Sequence, residues 1–159
     1  MKKLNNKGFS LVELIIVIAI MAVLIGVLAP QFLRYVERSR RQTDETAIEE
    51  LRKSVEIGLG TEAIATEIST ALATASPYVI TIDTAGATNP GTLTVPTTLM
   101  QGEVSSSVGL DLDFTSNAYT QAATGTVSVE IINNATGDGF EVQAWGLDQS
   151  NPPARTRLD

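Results

Sequence analysis

The sequence predicts an α+β chain in which a long N-terminal α-helix packs on a C-terminal antiparallel β-sheet head. Three observations carry that reading. Apolar residues crowd one end, making up 20 of the 25 residues from Phe9 to Leu33 but only 47 of the 126 after them. From Ala47 to Leu59 apolar residues return at steps of three and four, the spacing of one helical face. Beyond Pro77 the period shortens to two, in runs rich in Val, Ile and Thr.

Composition narrows the chemistry before any motif does. The chain of 159 residues has 11 Lys+Arg against 18 Asp+Glu, a net charge of −7, with no His and no Cys. Disulfides, a thiolate nucleophile and cysteine-based zinc sites are therefore excluded, and the commonest general base is missing. No enzymatic activity and no cofactor are expected. From Ser54 to Ala154 there are 11 acidic residues and no basic one, which disfavours direct nucleic-acid binding.

Residues 1–8 carry Lys2, Lys3 and Lys7 and precede the apolar run of residues 9–33. As a helix, that run would measure about 37 Å, enough for a hydrocarbon core of about 30 Å. A removable secretory signal would have a shorter apolar region, of about 7–15 residues. This run is longer and continues into a helical pattern, so it reads as a retained membrane helix. Charge counting leaves the topology open, because Arg34, Arg38, Arg40 and Arg41 follow the span as closely as the lysines precede it. Glu13 is the only charge inside the run. Either it reaches the headgroup layer or is protonated, or it awaits a cationic partner within the membrane. Gly26 and Pro30 form a weak point, since the proline ring opposes the carbonyl of Gly26, itself a poor helix former.

Residues 34–60 are polar but keep the helical stripe Ala47, Ile48, Leu51, Val55 and Leu59, and the GLG at 58–60 is a stop signal. Arg38, Arg40 and Arg41 precede Asp44, Glu45, Glu49 and Glu50, which precede Arg52 and Lys53. This pattern is either a solvated face with i,i+4 pairing or a basic surface that meets the acidic head of an adjacent copy. Residues 61–159 form the head. A short helix is predicted from Thr61 to Ala75, with Ile64, Ile68 and Leu72 on one face, closed by Pro77. Strands are predicted at 78–82, 92–95, 110–114, 126–132 and 140–147, separated by the turn-like GATNPG, SSSVG and NNATGDG. The last two strands form a hairpin with Val127, Val129, Ile131, Phe140 and Val142 inward and Trp145 on the other face. Asp111 with Asp113, Asp83 and Asp138 are acidic but fit no calcium loop, and no metal site is expected. Asn134-Ala135-Thr136 reads as turn chemistry rather than as a glycosylation site. Arg155 and Arg157 form a basic spot, pair with the acidic head, or belong to a disordered terminus.

The run KGFSLVELIIVIAIMAVLIGVLAPQF resembles the amino terminus of type IV pilins and of the pseudopilins of type II secretion and competence systems, a class III prepilin signal. The shared features are a basic leader ending in Gly8, Phe9 directly after it, Glu13 as the fifth residue from that junction, and Pro30 near the end of the run. The resemblance covers about the first 60 residues. It implies a pilin fold, cleavage between Gly8 and Phe9 by a prepilin peptidase, and N-methylation of Phe9. It places the three lysines in the cytoplasm, and in assembly it pairs Glu13 with the Phe9 amine of a neighbour. Gly26 and Pro30 mark where the helix melts in a filament, with Ala22 standing where many relatives have glycine. The function implied is a structural subunit that waits in the cytoplasmic membrane and then forms an extracellular homopolymer for adhesion, twitching motility or DNA uptake. An assembly ATPase and an inner-membrane platform are the implied partners. The alternatives are a pseudopilin or minor pilin, or a membrane-anchored binding domain. Arg38, Arg40, Arg41, Arg52 and Lys53 are the candidate intersubunit contacts. Relatives often close their carboxyl-terminal loop with a disulfide, which this cysteine-free chain cannot do.

Overall fold

The computed structural model describes residues 8–83, 91–109, 111–112, 114–120, 127–135, 139–147 and 154–158. The chain divides into two compact units, residues 1–37 and residues 38–159. The first helix, α1, is Leu11–Leu59 and contributes to both.

In the first unit α1 is apolar all round. Phe9 and every Leu, Ile, Val, Met and Phe from Leu11 to Leu33 are exposed, Val17 least at 47%. Helix is the conformation such a segment must adopt in lipid, where backbone groups have no water to bond and must satisfy one another. Gly26 and Pro30 both lie inside the assigned helix, which continues through them. A single missing N–H does not break it.

The second unit is α+β. Its helices are the remainder of α1, then α2 (Glu62–Thr74), α3 (Thr98–Ser107) and the single turn α4 (Asn117–Thr120). Its strands are β1 (Tyr78–Asp83), β2 (Gly91–Thr94), β3 (Asp111–Leu112), β4 (Val127–Asn133), β5 (Phe140–Leu147) and β6 (Arg155–Arg157). They form one six-stranded sheet in the order β3-β2-β1-β4-β5-β6, and every neighbouring pair is antiparallel. The register aligns Ile80 with Val129 and Val129 with Ala144, and likewise Tyr78 with Ile131 and Ile131 with Val142. Alternation then puts these residues on one face, and they are buried together with Ile48, Leu51 and Val55 of α1. Each Ile, Leu or Val among them contributes about 1.5–3 kcal/mol by leaving water.

α2 buries Ile64, Ile68 and Leu72 as its four-residue spacing predicts. α3 is an addition to the sequence reading. Ser105 to Ser107, expected in a turn, form its last residues, and Met100 and Val104 fix it to the core. Two polar contacts from other elements seat its start. The Thr97 N–H donates to the Tyr78 hydroxyl (3.1 Å), and the Met100 N–H donates to Glu67 Oε2 of α2 (3.4 Å), bonding an amide that the first turn leaves without a partner. The end of α1 lies close to α3. A Cβ on Gly58 would stand 3.1 Å from Glu103 Cγ and 3.5 Å from Met100 Sδ.

Candidate functional site

At the amino end, Gly8 and Phe9 lie before the helix, and both are exposed, Phe9 at 92%. Among the described residues, the chain neighbours apart, no atom lies within 4 Å of the position a Cβ would take on Gly8. Ser10 occupies the N-cap position, and Glu13 falls at the third helical position. Glu13 Oε2 accepts the Ser10 backbone N–H at 2.9 Å. Ser10-x-x-Glu13 thus has the spacing of a capping box, with the side-chain carboxylate turned back to the helix start. A negative charge there also meets the positive end of the helix dipole. The structure therefore gives Glu13 a role within its own chain that the sequence reading missed, although the S-x-x-E pattern was present to signal it. It brings Glu13 beside Ser10, next in sequence to Phe9, while Gly26 and Pro30 lie about four to five turns further along.

The five cations named on the second half of α1 separate into two sets. Arg38, Arg40 and Lys53 are exposed. Arg41 and Arg52 have partners in their own chain. Arg52 bonds Glu49 (2.9 Å) and Glu56 across one helical turn each way. Arg41 holds Glu45 (3.3 Å), donates from Nη2 to the Leu147 carbonyl at the end of β5, and stands 5.9 Å from the centroid of the Tyr119 ring.

Asp44, one turn on from Arg41, is fully buried. Its Oδ1 accepts from the Thr115 N–H (2.9 Å) and hydroxyl (3.3 Å), and its Oδ2 accepts from the Ser116 N–H (2.9 Å) and hydroxyl. Four donors replace the water that this carboxylate gives up on burial. The Tyr119 ring stacks on Phe114 with centroids 5.4 Å apart, and its hydroxyl accepts the Leu147 N–H at 3.2 Å. Burial pushes the Tyr119 hydroxyl up to about 12, with the Leu147 bond acting in the opposite direction. The close approach of that hydroxyl also requires glycine at 146. A Cβ there would lie 2.5 Å from Tyr119 Oη and under 3 Å from both Leu158 methyls. Arg41, Asp44, Ser116, Tyr119 and Leu147 together form a polar clasp between α1, the 114–120 segment and the last long strand.

The same region explains how a chain without cysteine holds its carboxyl end. β6 pairs with β5, and the Leu158 N–H donates to the Ala144 carbonyl at 3.0 Å. Arg155 bonds Glu130 and Ser128 Oγ (2.8 Å) and lies 4.4 Å over the Trp145 ring. Arg157 pairs with Glu141 at 3.1 Å. Of the three readings open for these arginines, pairing with the acidic head is the one observed, and Trp145 serves as its platform on the sheet's outer face. Asp113, Thr136, Asp138 and the side chain of Asp111 lie outside the described residues.

Residues 3–29 match the family model described as the prokaryotic N-terminal methylation motif. Over 75 residues the chain is 35% identical to the prepilin peptidase-dependent protein A of Clostridium perfringens (strain 13 / Type A), a stretch that covers 46% of this chain and 54% of that protein. The chain thus spans about half the length of the curated relative it matches. No solved structure matches it significantly. The motif match takes in Gly8, Phe9, Glu13 and Gly26 and stops one residue short of Pro30. The amino terminus of this chain is accordingly a prokaryotic N-terminal methylation motif, the class III prepilin signal.

Proposed function

We propose that the chain is the structural subunit of a type IV pilus. A prepilin peptidase cuts between Gly8 and Phe9, the new Phe9 amine is methylated, and the apolar half of α1 holds the subunit in the cytoplasmic membrane. Assembly, driven by a separate ATPase at an inner-membrane platform, moves that helix from lipid into the centre of an extracellular filament. The observation that carries the reading is a helix long and apolar enough to cross a membrane, with no residue of its apolar window buried, whose first turns lie within the methylation motif. So much exposed apolar surface on one segment marks a partner outside the chain. Lipid and then other copies of the same helix are partners of matching chemistry. The subunit acts by packing rather than by catalysis.

In this scheme Glu13 exchanges its intrachain Ser10 contact for the Phe9 amine of a neighbour, an opposite charge in a low-dielectric surrounding. Gly26 and Pro30 supply the weak turn at which α1 unwinds within the filament. Arg38, Arg40 and Lys53 remain exposed for acidic surface on adjacent subunits, whereas Arg41 and Arg52 contribute to such contacts only by loosening their intrachain bonds. Electron microscopy of cells carrying the native gene tests the proposal. Abundant surface filaments built of this chain are expected, and Glu13→Val should leave subunits in the membrane. Normal filaments from Glu13→Val would overturn the assembly role of the carboxylate. The alternative, a pseudopilin or minor pilin, predicts filaments only on overexpression.

A further inference from the structure

Eight basic residues follow Gly8, and four of them, Arg41, Arg52, Arg155 and Arg157, bond a carboxylate of their own chain. Among the described residues the other four, Arg34, Arg38, Arg40 and Lys53, have no such bond, and all four are exposed. Three of them fall within the seven residues after Leu33, the last residue of the apolar run. At about 1.5 Å of rise per residue those seven residues span about 10 Å, and the polar layer on one side of a bilayer, about 5–8 Å deep, is within reach of long arginine side chains along that span. Tyr35, 71% exposed, sits among them, an aromatic side chain of the kind enriched at membrane–water boundaries.

We infer that Arg34, Arg38 and Arg40, with Tyr35, form a belt that holds the phosphates of anionic phospholipids in the leaflet where α1 leaves the hydrocarbon. The inference rests on the membrane-held subunit proposed above. Angular placement suits headgroups. At about 100° per residue, Arg38 lies about 40° from Arg34, while Arg40 lies about 200° beyond Arg38 on the opposite side of the helix. Before assembly no neighbouring subunit is present, and headgroups surround the helix and meet both sides; in a filament Arg38 and Arg40 exchange them for acidic neighbours. The guanidinium fork suits a phosphate, which takes two parallel N–H bonds. Arg41, the next arginine in the chain, is turned to Leu147 and Glu45 and stands outside the belt.

The test uses the full chain in nanodiscs of equimolar phosphatidylcholine and phosphatidylglycerol, loaded at one chain per disc so that no second copy is present. Native mass spectrometry counts the lipids that stay with the protein as the disc is stripped. Phosphatidylglycerol should be retained in preference, the preference falling about fivefold for each arginine replaced. R34Q/R38Q/R40Q should leave only the share due to Lys2, Lys3 and Lys7, and R34K/R38K/R40K should restore most of the rest. Equal retention of the two lipids by the native chain, or an unchanged preference in R34Q/R38Q/R40Q, overturns the inference alone. A preference that arises only with two chains in a disc also overturns it, in favour of an acidic neighbour. A chain that enters no disc of any composition overturns the membrane-held subunit itself.

Discussion

The two halves of α1 have the same backbone and opposite kinds of specification. From Leu11 to Leu33 its apolar side chains are exposed, so the structure of that half follows from local pattern rather than from contacts within the chain. From Arg38 to Leu59 one stripe is buried against a sheet, and a carboxylate of that half is bound by residues 71 and 72 positions away. A segment specified by pattern has no contact in its own chain to lose when its surroundings change. A segment specified by long-range contacts holds only while those contacts do.

Substitutions in the clasp should therefore damage the head and spare the apolar half. The largest effect is expected from Asp44→Ala, which leaves four donors from Thr115 and Ser116 without their acceptor and should cost about 3 kcal/mol or more. Urea unfolding of the full chain in detergent, followed through Trp145 fluorescence, would measure it. Loss of helix content from the apolar half in the same variant would break the comparison. Gly146→Ala should follow at about 1–3 kcal/mol, because its methyl has no room beside Tyr119 and Leu158. Gly146→Ala combined with Tyr119→Phe relieves part of that clash and should recover part of the loss.

Tyr119→Phe by itself should cost about 1 kcal/mol, the bond to the Leu147 N–H. It also has a pH signature. The hydroxyl titrates at 10.0 ordinarily and at about 12 in the folded chain, so folding favours its protonated form. That contribution is complete below pH 10 and fades as pH rises toward 12. Head stability should fall over that interval, and less steeply in Tyr119→Phe. The Tyr78 hydroxyl, raised chiefly by burial, adds to the same fall and remains in the variant. The smallest effect is expected from Arg157→Gln. Its exposed pair with Glu141 should contribute no more than about 1 kcal/mol and weaken with salt.

Features carried by periodicity were legible in the sequence. The stripe from Ala47 to Leu59, the face Ile64-Ile68-Leu72 and the inward set Val127, Val129, Ile131 and Val142 are each buried or half-buried as their spacing implies. α3 was not legible, because only Met100 and Val104 face inward and three serines end it in a composition typical of turns. The clasp was hidden for a different reason. Asp44 sits in a block of acids that reads as a solvated face, and nothing local reports that Thr115 and Ser116 will meet it. Arg40 and Arg41 are neighbours of one chemical type, yet a single step of helical rotation leaves one in solvent and ties the other to β5. At the amino end the likeness to the methylation motif was legible, because the spacing of Gly8, Phe9 and Glu13 is its signal. The bond from Ser10 to Glu13 adds what spacing does not give, a use for the carboxylate before any partner arrives.

Mass spectrometry of the amino terminus of the protein isolated from its native cells tests the central claim most directly. A mature chain that begins with N-methyl-Phe9, lacking residues 1–8 and their three lysines, is the expected result. An intact chain that begins at Met1 in the mature, membrane-held protein would contradict it.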